Sequence, residues 1–261
     1  MTGSPAVMEM RGISKSFPGV RALRDVSFGA AAGEVHALVG ENGAGKSTLI
    51  KILSGVYRPD SGAVVINGEE AHFRHPVEAL RAGISVIYQE FSLLPERTVA
   101  QNIFLGREPS RGGIIDHKAM EAETRRVLAL FGSSRIEPDT LVADLDIASQ
   151  QMVEIAKAIS LNAKVVVMDE PTAALGPQET AQVGELIKQL KSEGIGIFLI
   201  SHDIHDVFDL ADRVCVMKNG QVVGTARTTD VTKDEVLGMI ILGKCPPGAV
   251  PGPGAMVATA A

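Results

Sequence analysis

The chain contains few of the residues that would indicate a secreted, disulfide-bonded protein or a protein that binds nucleic acid. It has two cysteines and no tryptophan, and aromatic residues make up 4% of it. The two cysteines show no disulfide framework and no metal-ligand spacing, which fits a reducing cytosol. Lys and Arg number 25 against 31 Asp and Glu. This mild acidity argues against a nucleic-acid partner bound through broad phosphate neutralisation.

Long hydrophobic runs are also missing. No apolar stretch approaches the ~20 residues that are needed to cross a bilayer, and the first ten residues lack the basic and apolar regions of a signal peptide. We therefore expect any membrane path to be formed by other chains. The 261 residues, 45% of them hydrophobic, suffice to bury the core of one large α/β domain.

Strand and helix patterns alternate along most of the chain. Short strands broken by Gly and Pro come first, and helical spacing then dominates from Phe91 to Leu161. Beyond that region strands return, and Pro177 and Gly194 mark the start and the end of a helix between two of them. The pattern predicts a mostly parallel sheet with covered faces and a helical subdomain at about 91–161.

The last residues, 245–261, consist mainly of Pro, Gly and Ala. We assign 1–244 to the folded domain and predict that 245–261 is a disordered tail, because it has no apolar periodicity to bury. Deleting Pro246 to Ala261 is then expected to leave folding nearly unchanged.

One short motif indicates a phosphate-binding site. Residues 40–47 match G-x-x-x-x-G-K-[ST], with a strand before the match and a helix after it. Glycines allow successive backbone N–H groups to face phosphates, and the helix N-terminus adds positive potential. Lys46 is predicted to reach the β/γ-phosphates and Ser47 to hold Mg²⁺. The predicted phosphate-binding residues are Gly40, Glu41, Asn42, Gly43, Ala44, Gly45, Lys46, Ser47 and Thr48.

A second motif supplies two carboxylates at the end of an apolar strand. The run from Val165 ends in Asp169 and Glu170. Asp169 is predicted to position Mg²⁺, directly or through water, and Glu170 to orient the attacking water and accept its proton. An apolar run that ends in Asp-Glu can also be an ordinary strand end, so this prediction depends on the phosphate loop.

Together these motifs resemble the ATP-binding subunits of ABC transporters, over roughly Val7 to Lys244. The resemblance implies a P-loop cassette with an N-terminal antiparallel β subdomain, and it implies roles for three further residues. Phe17 would stack on adenine, Gln89 would join Mg²⁺ and water to the helical subdomain, and His202 would sense the γ-phosphate. The signature position would hold Asp146, Ile147, Ala148, Ser149 and Gln150, which contact the ATP of an opposing cassette.

The resemblance is closer to the monosaccharide importers of bacteria, through the segments YQEFSLLP, NIFLGREP and QMVEIAKAI. It implies import of a sugar such as ribose or galactose and a stand-alone, single-cassette form. The implied partners are a second cassette, an integral membrane permease docked near Gln89 to Gly106 and, indirectly, a periplasmic sugar-binding protein. The implied location is the cytoplasmic face of the inner membrane, and the implied ligands are ATP and Mg²⁺.

The sequence departs from the family pattern in the signature, usually Leu-Ser-Gly-Gly-Gln, where it has Asp146 in place of Ser. An ionised Asp there would weaken ATP-driven closure, whereas the alternative interpretation is that Asp146 caps a helix starting near Ile147. A second departure is Gly176, where many cassettes have Asp. Two alternative functions remain, a regulatory cassette with weak or no turnover and a soluble ABC ATPase outside transport. A phosphotransferase is less favoured, since nothing indicates an acceptor pocket.

Overall fold

The computed structural model describes residues 6–130, 136–161, 163–173 and 175–257. The strands are β1 (Ala6–Phe17), β2 (Val20–Ala31), β3 (Val35–Val39), β4 (Ser61–Ile66), β5 (Glu69–Ala71), β6 (Ile84–Ile87), β7 (Ser110–Arg111), β8 (Ile114–Ile115), β9 (Val165–Asp169), β10 (Gly196–Ile200), β11 (Arg213–Lys218), β12 (Gln221–Arg227), β13 (Lys244–Cys245), β14 (Val250–Pro251) and β15 (Met256–Val257). The helices are α1 (Lys46–Leu53), α2 (Pro76–Arg81), α3 (Val99–Ile103), α4 (His117–Ala129), α5 (Ile147–Ile159), α6 (Pro177–Ser192), α7 (Ile204–Leu210) and α8 (Lys233–Leu242), with a 3₁₀ turn at Val142–Asp144.

The chain forms two compact units. The first takes in the described residues of Met1–Val86, Lys164–Glu170 and Ile187–Ala261, and the second consists of those in Ile87–Ala163 and Pro171–Leu186. The predicted helical subdomain, 91–161, falls within the first segment of the second unit. In the described residues, no helix is long and apolar enough to cross a membrane.

The first unit begins with an antiparallel sheet in the order β2-β1-β4-β5. Asn67 and Gly68 form the turn between β4 and β5, with φ of 51° and 86°. An Asn-Gly pair suits this turn because both residues tolerate positive φ. The predicted N-terminal antiparallel subdomain is thus confirmed.

The main sheet of the first unit has the order β14-β12-β11-β3-β10-β9-β6. Strands β11, β3, β10 and β9 pair in parallel, while β12 pairs antiparallel with both β11 and β14. Every residue of β3 and of β10 is buried, as is typical of central strands covered on both faces. The carboxyl ends of the four parallel strands lie at one edge of the sheet, and the phosphate loop, Glu170 and His202 follow the ends of β3, β9 and β10.

The second unit contains α3, α4 and α5, and it includes a difference from the sequence prediction. No strand was expected between 91 and 161, yet β7 and β8, each two residues long, pair as an antiparallel hairpin. Gly112 and Gly113 allow its tight turn, with φ of 60° and 83°. The helical spacing predicted between 91 and 161 is otherwise observed, with α4 and α5 as its longest helices.

The C-terminal segment contradicts the prediction of disorder over 245–257. β14 pairs with β12 and forms the edge of the main sheet, and the backbone N–H of Gly252 donates to Val223 O at 2.9 Å. Cys245 and Ala249 are buried. Composition missed this segment because main-chain bonds to a sheet edge need no apolar periodicity in the segment that docks. Residues 258–261 of the predicted tail lie outside the described residues.

Candidate functional site

The loop between β3 and α1 is the centre of the candidate site. Its glycines at 40, 43 and 45 have φ of 156°, 83° and 107°. Gly45 is the N-cap of α1, no side chain caps the helix, and its first turn contains no acidic residue. The N-terminal N–H groups of α1 therefore carry positive potential without a side-chain anion, which suits a phosphate.

Steric contacts explain why glycine is needed at two of these positions. A Cβ at Gly40 would lie 2.3 Å from Met217 O, and one at Gly45 would lie 2.9 Å from Ala22 O. The loop is thus packed tightly against the end of β11 and the start of β2, so a side chain at either position would displace it.

The ammonium group of Lys46 is folded back onto the loop. It donates to Gly40 O at 2.6 Å and to Glu41 O at 3.2 Å. Burial lowers the pKa of Lys46, while the charges of Glu170 and Asp169 oppose that shift. The cation and the two carboxylates are therefore close enough to influence one another electrostatically.

Asp169 ends β9 and lies at the same sheet edge as the loop. Burial and the neighbouring charge of Glu170 raise the pKa of its carboxyl, and Lys46 opposes the rise. A bound divalent cation would favour the ionised form. The hydroxyl of Ser47 and the carboxylate of Asp169 are hard oxygen ligands of the type that Mg²⁺ takes together with phosphate oxygens. These residues therefore fit Mg²⁺, which would neutralise phosphate charge.

Glu170 and His202 form a contact that the sequence could not specify. His202 Nδ1 lies 2.7 Å from Glu170 Oε2, and the side chain of Glu170 is 13% exposed against 75% for His202. Glu170 adopts φ of 52°, and its N–H donates to Ile200 O at 2.9 Å. A non-glycine residue with positive φ carries backbone strain, which commonly occurs at functional sites. The strained backbone and the imidazole together hold this carboxylate in place.

Phe17, the predicted adenine-stacking residue, is half-buried at the end of β1. Its ring packs edge-on against Tyr57, with centroids 5.3 Å apart, and Lys15 Nζ lies 5.7 Å from its centroid. Sequence reasoning did not select Tyr57, because nothing in the local pattern shows that it meets Phe17 across 40 residues of chain. The stacking role of Phe17 stays a prediction.

The remaining predicted residues belong to the second unit. Gln89 is exposed on a bend after β6, and its role stays a prediction. Asp146 caps α5, because its carboxylate accepts the backbone N–H of Ser149 at 2.7 Å. The capping interpretation is thus confirmed, and this hydrogen bonding lowers the pKa of Asp146. Ile147, Ala148, Ser149 and Gln150 form the first turn of the helix.

Comparison with known proteins identifies the family. The family model described as ABC transporter matches residues 23–173, more than half of the chain. The chain belongs to the ABC transporter family. The cassette superposes with a TM-score of 0.78 on the ADP conformation of an ATP-binding cassette of an ABC transporter, at 28% identity, covering 91% of this chain and 95% of that one. A nucleotide-free cassette gives a TM-score of 0.77 at 27% identity, covering 85% and 92% of the two chains.

Curated relatives are similar over most of the cassette. The ribose import ATP-binding protein RbsA 1 of Rubrobacter xylanophilus is 51% identical over 235 residues, which are 90% of this chain and 47% of the relative. A putative ribose/galactose/methyl galactoside import ATP-binding protein of Burkholderia lata is 46% identical, over 92% of this chain and 46% of the relative. The chain thus spans about half the length of these relatives.

Proposed function

We propose that this cassette binds MgATP and hydrolyses it to ADP and phosphate, and that it works as one of two paired cassettes. The observation that carries the proposal is the Glu170 carboxylate, held by His202 at the sheet edge where Lys46 and Asp169 also lie. A carboxylate in this position can orient a water molecule for attack on the terminal phosphate and accept its proton. The family assignment supports this mechanism.

The site residues of the first unit then divide the steps of binding and hydrolysis among them. The amides of the phosphate loop and Lys46 bind the β- and γ-phosphates once the ammonium group leaves its two carbonyls. Ser47 and Asp169 hold the metal ion. His202 orients Glu170 and can donate a hydrogen bond to the γ-phosphate. Gln89 and the signature residues 146–150 are proposed to complete the site, the latter on the ATP of the opposing cassette.

The test is Glu170→Gln, because an amide cannot accept the proton. We expect this variant to bind ATP normally, to lose phosphate release and to form a stable dimer with MgATP in sedimentation. Glu69→Gln, an exposed carboxylate on β5, is the matched control and should hydrolyse ATP normally. Hydrolysis by Glu170→Gln at the unmodified rate would contradict the assignment of Glu170 as the base.

Lys46→Ala tests the binding step separately. Removing the cation that faces the β- and γ-phosphates should abolish tight ATP binding. Lys118→Ala, which removes an exposed lysine of α4, is the control. Equilibrium titration with ATP measures both, and near-normal affinity in Lys46→Ala would overturn the assignment of the loop.

We further propose that ATP hydrolysis here drives sugar import through a separate membrane permease, in concert with a periplasmic sugar-binding protein, and that the cassette works at the cytoplasmic face of the membrane. Support comes from relatives whose names specify ribose or galactose import. The second unit also has a groove of about 190 Å³, lined in part by Leu94, Leu105 and Ile115, within and beside the predicted docking segment. Its partly exposed apolar side chains suit a permease helix.

Co-purification of the intact complex from membranes tests this second proposal. The permease should be recovered with the unmodified cassette and lost with Leu105→Glu, which places a charge in the groove. Ile241→Glu, at an exposed apolar position on α8, is the control. Recovery of the permease with Leu105→Glu would show that the groove is not the docking site.

A further inference from the structure

The turn between β11 and β12 is hydrogen-bonded to the phosphate loop on one side and to β2 on the other. Gly220 N–H donates to Ala44 O at 3.0 Å, and Arg24 N–H donates to Gly220 O at 2.8 Å. Gly220 has φ of 75°, and a Cβ there would lie 2.5 Å from Ala22 O. Asn219 precedes Gly220 with φ of 48°, so the turn is an Asn-Gly pair, and its contact with the loop follows from the parallel pairing of β3 and β11.

Lys218, the last residue of β11, joins the phosphate loop to the end of α8. Its ammonium group donates to Ile240 O and Ile241 O, both at 2.8 Å, and lies 3.4 Å from Glu41 Oε2. The side chain is 23% exposed. The last carbonyls of a helix lack intrahelical partners and carry partial negative charge, so a lysine there is favourable. Lys218 is therefore held in place by α8 and offers its charge to Glu41.

Glu41 is the residue of the loop whose charge disfavours a phosphate ligand. It follows Gly40 directly, and its backbone carbonyl accepts a hydrogen bond from Lys46. A carboxylate beside a triphosphate repels it, and the repulsion grows with the number of phosphate charges. In the described part of the chain, Lys218 is the salt-bridge partner of Glu41.

We propose that Lys218 is a positioning residue of the phosphate loop, which neutralises the Glu41 carboxylate and anchors it to the C-terminal end of α8. The inference rests on the proposed function, since it needs ATP to bind at this loop. Lys218 acts through Glu41 and does not itself contact the nucleotide. Loss of its charge leaves an uncompensated carboxylate on the phosphate loop, and because ATP carries more negative charge than ADP, this weakens ATP binding more than ADP binding.

The experiment measures the dissociation constants of ATP and ADP for the full chain by equilibrium titration. Lys218→Met should weaken ATP binding about two- to fivefold, the range of a partly exposed ion pair, and ADP binding less. Lys218→Arg keeps the charge and should restore the affinity. In a Glu41→Gln background the Lys218→Met change should have no further effect. Lys244→Met, which removes an exposed lysine at the start of β13, is the matched control.

Lys218→Gln is a second variant, which separates loss of charge from loss of folding. Its amide can still donate to the helix carbonyls but carries no charge. It should show the same loss of ATP affinity with little change in melting temperature. An equal loss for ATP and ADP, or a loss that persists in Glu41→Gln, would show that Lys218 only supports α8 and would overturn the proposal. Failure of the unmodified chain to bind ATP would instead overturn the proposed function.

Discussion

The two units of this cassette are stabilised in different ways. The first has a large, mostly parallel sheet, in which β3 and β10 are entirely buried. The second also has buried apolar side chains, such as Val99 and Ile103 of α3, and it adds buried polar side chains that bond to the backbone. Asn102 is 0% exposed and makes four bonds to the backbone of Leu94, Arg97 and Thr98.

Arg107 acts similarly in the second unit. Its guanidinium donates to Ile103 O, at the end of α3, and to Ser160 O, just after α5. Burial lowers its pKa, and the guanidinium remains charged. Because α3 has only five residues, it cannot be stable by helix propensity, and polar bonds of this kind supplement its buried apolar side chains. The contrast indicates that the sheet tolerates loss of one polar contact better than the helices do.

The largest expected effect that tests this contrast comes from Asn102→Ala. It leaves one N–H and three carbonyls without their partner, and we expect it to lower the free energy of unfolding by roughly 3–4 kcal/mol. Urea unfolding measures the loss, and hydrogen exchange should show it in α3 before β3. Gln182→Ala, at an exposed position on α6, is the control. A loss below about 1 kcal/mol would remove the distinction between the units.

The first unit also contains a buried polar side chain with an unsatisfied atom, His36 of β3. Its Nδ1 lies 2.7 Å from Gly29 O, whereas its buried Nε2 has no partner among the described residues. Burial of His36 is therefore compensated by a hydrogen bond at one ring nitrogen and not at the other. Burial lowers the pKa of His36 from 6.5 to about 4, against the opposing effect of the Gly29 hydrogen bond.

A pH dependence follows from this depressed pKa. His36 takes up its proton near pH 6.5 in the unfolded chain and only near pH 4 in the folded chain. The contribution of neutral His36 to the free energy of unfolding is therefore complete above pH 6.5, and it is lost as the pH falls towards 4. The loss amounts to roughly 3 kcal/mol. Urea unfolding between pH 7 and 4 should show it, and His36→Leu should flatten the profile. His72→Gln, at an exposed position, is the control and should leave the pH profile of stability unchanged. If His36→Leu also left the profile unchanged, His36 would not be the source of the pH dependence.

A smaller effect tests whether the C-terminal segment belongs to the sheet. Gly252 lies after β14, and a Cβ there would be 2.3 Å from Val222 O. Gly252→Ala should therefore lower the unfolding free energy by about 1–2 kcal/mol through loss of docking. Gly238→Ala, in α8 with nothing within 4 Å of the added Cβ, should be neutral or slightly stabilising. Equal melting temperatures for the two variants would favour the disordered tail expected from composition.

The smallest expected effect concerns Asp146 in the second unit. Because Asp146 caps α5, Asp146→Ala should lower the free energy of unfolding by about 1 kcal/mol, and Asp146→Ser should lower it by only a few tenths of a kcal/mol. If its charge also opposes the phosphate of a partner's ATP, Asp146→Ser should strengthen MgATP-dependent dimerisation in the Glu170→Gln background. Sedimentation across a concentration series measures this. Unchanged dimerisation would leave Asp146 with a capping role alone.

The sequence by itself determined the local features of this protein. The strand, glycine loop and helix at 35–53, the turns at Asn67 and Asn219, and the cap at Asp146 each depend on residues close together in the chain. Hydrophobic periodicity and turn chemistry report such local geometry directly. The same motifs were sufficient to predict the family and the α/β fold.

Only the tertiary structure decided which distant residues meet. Glu170 and His202 are 32 residues apart, and Glu41 and Lys218 are 177 residues apart. Both contacts exist because β9, β10, β3 and β11 are neighbours in a parallel sheet, so that their carboxyl ends converge at one edge. Sheet order and the docking of residues 245–257 depend on long-range pairing, and no local pattern in one sequence encodes which strands pair.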